Sequence, residues 1–81
     1  MTTYNIYDNG GETIDRYTIV FRDETGELEY GHIGASNYPN TFYQHGNEVS
    51  EEFLKTQKLI DVSEVSPELQ MAILRELQGE M

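Results

Sequence analysis

The apolar positions of this chain change their spacing part-way along. Early on, Tyr17, Ile19 and Phe21 alternate with Arg16, Thr18, Val20 and Arg22, the two-residue period of a strand with one face against a core. That predicts a strand over residues 13–22. A shorter one, Tyr4-Asn5-Ile6-Tyr7, precedes it and is rich in β-favouring aromatics. Between them stands Asp8-Asn9-Gly10-Gly11, and Asn-Gly tolerates the positive φ angles of a hairpin turn. Asp23-Glu24-Thr25-Gly26 is the next polar turn, leading into a third strand from Glu27 to Ile33. A four-residue loop there sets Arg22 opposite Glu27, Phe21 opposite Leu28, Ile19 opposite Tyr30 and Tyr17 opposite His32. This register gathers the large apolar side chains, with His32, on one face, whereas a one-residue slip opposes Phe21 to Glu29. On the other face it makes Arg22 and Glu27 a cross-strand ion pair.

Residues 34–48 hold Pro, Gly and Asn without a clean period; so long an irregular stretch in a small domain is functional or hides a short element. Ser50 then caps a short helix with Glu51 and Glu52 in its first turn and Phe53 and Leu54 facing inward. Leu59, Ile60 and Val62 suggest another short strand. Ser66-Pro67-Glu68 is a strong helix start. Beyond it Leu69, Ile73 and Leu77 recur every four residues, with Ala72 on the same stripe and Gly79 at the end. The pattern is α+β: one domain over residues 1–81, a small antiparallel sheet of three to four strands with one or two helices packed on one face.

Size and composition narrow the function classes. Eighty-one residues leave little interior in which to desolvate a catalytic cluster. Without cysteine there is neither a disulfide framework nor a thiolate metal site. No secretory signal opens the chain and no apolar run nears the roughly 20 residues of a membrane helix, so a cytoplasmic setting is expected. Charge changes the picture most: fifteen acids against five bases give −10. Phosphate backbones and anionic membranes are poor partners for such a surface, and a basic protein surface is a good one. The plainer explanation is that the acids only keep a small protein in solution.

The candidate sites are few. Asp8-Asn9-Gly10-Gly11 has neither the longer glycine spacing nor the following helix and lysine of a phosphate loop, and Glu12 and Asp15 would repel phosphate; it reads as a turn. Asp15-Arg16 reads as a structural pair. His32 and His45 lack metal-ligand spacing to each other or to a carboxylate, and no nucleophile-elbow signature is present. The chain therefore reads as a non-enzyme with no cofactor and no metal. Tyr38, Phe42, Tyr43 and His45, around Pro39 with Asn and Gln between them, have the composition of an interface anchor, although Phe42 and one tyrosine could equally plug the core edge. Glu24, Glu27 and Glu29 would supply the attractive field. Outward residues such as Glu27 and Glu29 lie roughly 6–7 Å apart along a strand, a phosphate-like spacing that makes nucleic-acid mimicry a candidate role, diluted by Arg16 and Arg22 on that face.

The stretch YDNGGETIDRYT, Tyr7 to Thr18, resembles the opening of a group of small proteins of bacteriophages and other bacterial mobile elements. A weaker likeness covers Ile60 to Gln70. The resemblance implies a genomic setting, inside the bacterial host, and carries no catalytic residues. Charge, aromatics and resemblance lead to one expectation: an acidic binding protein that docks on a basic surface of a host protein, nucleic-acid-binding surfaces being one candidate kind, and inhibits or retunes it. The alternative is a self-associating assembly module, with a second copy of the chain as partner. A third reading is a small hydrolase or metal-binding protein built on His32, His45 and nearby carboxylates.

Overall fold

The computed structural model describes residues 2–10, 16–36, 42–45 and 49–78, with the backbone alone for Tyr30 and residues 42–45. The chain runs β1 (Thr3–Asp8), β2 (Tyr17–Arg22), β3 (Leu28–Ala35), β4 (Phe42–His45), α1 (Glu51–Lys55), β5 (Lys58–Ile60), a 3₁₀ turn (Val62–Glu64) and α2 (Pro67–Gln78). The five strands form one antiparallel sheet in the order β4-β3-β2-β1-β5. This is the expected α+β class. The strand beyond the predicted three to four is β4, the short element inside the irregular stretch.

Alternation on β2 decides the core. Ile19 is flanked in register by Ile6 of β1 and Ile33 of β3, and all three are buried with Phe21, Ala35, Val65, Leu69 and Ile73. Each isoleucine so removed from water contributes roughly 1.5–3 kcal/mol. The four-residue repeat of α2 supplies Leu69 and Ile73, with Ala72 and Leu77 packed at the margin. Its start follows the sequence: the Ser66 hydroxyl accepts from the Leu69 N–H at 3.2 Å. Gly79 and Tyr38 lie outside the described residues, as do residues 11–15, which include Asp15 and the first part of the expected second strand.

The β2–β3 register departs from expectation. Arg22 pairs with Leu28, not Glu27, because the turn is a three-residue loop with a glycine bulge. The Asp23 N–H donates to the Glu27 carbonyl, the Gly26 N–H returns to the Asp23 carbonyl, and Gly26 has φ +89°. The Asp23 carboxylate braces it, accepting from the Thr25 N–H, the Thr25 hydroxyl and the Glu27 N–H. A second irregularity between Val20 and Arg22 then sets Val20 opposite His32 and Ile19 opposite Ile33. The outcome is a parity switch: Ile33 and Ala35 enter the core, and His32 does not. His32 lies on the opposite face, the reverse of its expected position.

Two smaller departures have local causes. Val62 does not extend β5. Asp61 and Glu64 form a capping box around the 3₁₀ turn, with the Asp61 carboxylate accepting from the Ser63 N–H and Glu64 accepting from the Asp61 N–H. In α1, Ser50 caps as expected and Leu54 is buried, but Phe53 is 44 % exposed; a helix of five residues has one narrow inward face and Leu54 occupies it.

Candidate interaction surface

The β2 face turned away from α2 carries Thr18, Val20 and Arg22. Register extends it in rows: Asn5, Val20, His32 and His45 form one; Tyr7, Thr18, Gly34 and Tyr43 form the next; Thr3, Arg22 and Leu28 form a third. Thr18, Val20 and Gly34 are buried, so the middle of this face is covered. Arg22 ties α1 to it.

Arg22 is the hub of the face. Its Nε donates to the Asn5 side-chain oxygen at 2.8 Å, one terminal nitrogen to the Gly26 carbonyl at 3.0 Å, and both terminal nitrogens fork onto the Glu51 carboxylate at 2.7 and 3.0 Å. One guanidinium thus joins β1, the β2–β3 turn and the first turn of α1, using the planar donor set that lysine lacks. The expected pair with Glu27 is replaced by this one. The Glu51 hydrogen bonds, followed by those with Tyr7, raise the Arg22 pKa above its ordinary value against the cost of burial. In return Arg22 holds the Glu51 carboxyl below its own.

Arg16 is likewise engaged. Its Nε and a terminal nitrogen donate to the two Asp8 oxygens at 2.7 and 3.1 Å, closing the mouth of the β1–β2 hairpin. Asp8 also accepts from the Gly10 N–H at 2.8 Å, with Gly10 at φ +81°. Arg16 first, then that backbone bond, lowers the Asp8 pKa. Asp8-Asn9-Gly10 is therefore a structural turn, although the connection from Asp8 to Tyr17 is longer than a two-residue Asn-Gly hairpin.

The two arginines expected to dilute the acidic face each hold a carboxylate of this same chain. Glu24, Glu27 and Glu29 are exposed, as is Glu52 beside Glu51, and the Arg22 bridge draws the hairpin and α1 to the same end of the molecule. Between them lies a cleft of about 380 Å³ lined by Leu28, Glu29, Val49 and Ser50. Nothing in the spacing of Val49 and Ser50 sets them beside Glu29; the shared cleft depends on Arg22 holding α1 to the hairpin.

The aromatic candidates divide. Backbone register sets Phe42 opposite Ala35, a core residue, while Tyr43 and His45 sit opposite Gly34 and His32 on the other face. The two histidines, remote in sequence, are register partners across β3 and β4. Among the described residues no three His, Cys, Asp or Glu side chains gather as a metal site, and a catalytic zinc takes three protein ligands. No helix among the described residues is long and apolar enough to cross a membrane. The chain matches no protein-family model, no curated protein and no solved structure.

Proposed function

We propose that this chain is an acidic, non-catalytic binding protein of phage or mobile-element type, working in the bacterial cytoplasm by docking on a basic surface of a host protein and inhibiting or retuning it. The observation that carries this reading is the internal pairing of Arg16 with Asp8 and of Arg22 with Glu51. Two of the five bases are thereby engaged within the fold, while Glu24, Glu27, Glu29 and Glu52 are exposed. Such an acidic surface accelerates encounter with a cationic partner. Tyr43 and His45, which share a sheet face, are the anchors this geometry favours over Phe42, whose register position belongs to the core side.

Capture from host lysate, read by mass spectrometry, followed by sedimentation of the purified chain over a concentration series, tests the reading. The docking function predicts a retained basic protein and a monomer when the chain is alone. A stable oligomer with no retained partner supports a self-associating assembly module instead.

A further inference from the structure

We infer that the cleft between the start of β3 and the entry to α1 takes a single arginine side chain from the partner's basic surface, an assignment that rests on the docking reading and makes it specific. The cleft is small, about 380 Å³, at the lower end of the roughly 300–1,000 Å³ of ligand pockets, and has room for one long side chain. Its lining is mixed in the way an arginine requires. Leu28 and Val49 are half-buried apolar walls, against which an aliphatic stem can lie while its charged head stays near water. Glu29 is exposed at the rim, and its contact within the fold is a long 3.3 Å bond from the Thr2 hydroxyl, readily exchanged for a charge-assisted one.

Among the described residues, the neighbouring polar groups of Ser50 and Glu51 already hold partners within the fold, which directs the head to Glu29. The Ser50 hydroxyl accepts from the Phe53 N–H at 3.1 Å, and both Glu51 oxygens hold Arg22. A guanidinium fits this acceptor better than an ammonium, because it is planar, weakly hydrated and able to meet a carboxylate with two donors. Arg22 also fixes the width of the cleft, since it joins the turn preceding Leu28 to the residue following Ser50.

The test is an amide-shift titration of the full chain with N-acetyl-arginine amide, and with N-acetyl-citrulline amide as its neutral counterpart. The expected result is saturable shifts at Leu28, Glu29, Val49 and Ser50. Binding should be about five-fold weaker for citrulline and for Glu29→Gln, the effect of one exposed charged contact. Shifts of equal apparent affinity at distant acids such as Glu64 and Glu68, or a Glu29→Gln chain that titrates like the parent, would overturn the assignment. The two readings fail separately. Host-protein capture without an arginine titration removes the cleft and leaves docking, whereas a saturating cleft without any captured partner removes docking and leaves an arginine-binding cleft.

Discussion

Arg22 and Glu51, 29 residues apart, are joined by two hydrogen bonds of 2.7 and 3.0 Å, and through them α1 is fastened to the sheet. Arg22→Ala should lower the melting temperature more than Glu51→Ala, because it also removes the bonds to Asn5 and Gly26. The double variant should be little worse than Arg22→Ala, since the two side chains act as one unit. Arg22→Lys should fall between Ala and the parent. Thermal unfolding of the parent and the four variants checks this, and simply additive losses would contradict it.

The turn that sets the β2–β3 register depends on Gly26 at φ +89°. Space is not the constraint, as an added Cβ would meet nothing within 4 Å. Gly26→Ala should therefore cost about 1 kcal/mol through backbone strain alone, with Gly26→Asn recovering part of it. Chemical denaturation measures both, and an alanine variant as stable as the parent would count against the bulge.

Packing gives a sharper contrast. Ile73 is 1 % exposed in the core and Phe53 is 44 % exposed on α1. Ile73→Ala should cost about 2–5 kcal/mol, whereas Phe53→Ser should stay within roughly 0.5 kcal/mol of the parent. A large loss at Phe53 would mean that it is covered.

Much of this architecture was legible in the chain and some was not, for identifiable reasons. The α2 stripe and its Ser66 cap were plain because both are local, and so was the Asp23–Gly26 turn. The capping pattern of Asp61 and Glu64 was also visible, yet the apolar Leu59, Ile60 and Val62 masked it. The β2–β3 register was not readable: the glycine bulge sets Leu28 rather than Glu27 opposite Arg22, which reverses the inward set on β3, and a second irregularity then slides the pairing further without restoring it. The Arg22–Glu51 pair could not be foreseen, since nothing in the spacing of the two residues says that α1 returns to the sheet. For the interaction surface, the acids of the hairpin were evident from composition, while the cleft beside them exists only through that return.

Acidity should show in the pH profile. Hydrogen bonds hold the carboxyls of Asp8, Asp23, Glu51 and Asp61 below their ordinary values of 3.8 and 4.5, led by Arg16, Thr25, Arg22 and Ser63 respectively. A lowered folded pKa contributes stability that is fully present above the ordinary value and is lost as pH falls through the folded one. Stability should thus decline below about pH 4.5. Between pH 7 and 5 it should hold or rise slightly, as protonation begins to relieve the self-repulsion of a −10 chain. Melting temperatures across pH 3 to 7 check both limbs, and a steady decline from pH 7 downward would contradict the second.

The proposed docking through an acidic end and β4 is best judged on the purified pair, the chain with a host protein retained in the capture, by measuring Kd from about 50 to about 300 mM salt, over which the Debye length shrinks markedly. The expected result is a Kd that weakens steeply with salt and a complex lost on Tyr43→Ala. A Kd indifferent to salt, or a Tyr43→Ala chain that binds like the parent, would contradict it.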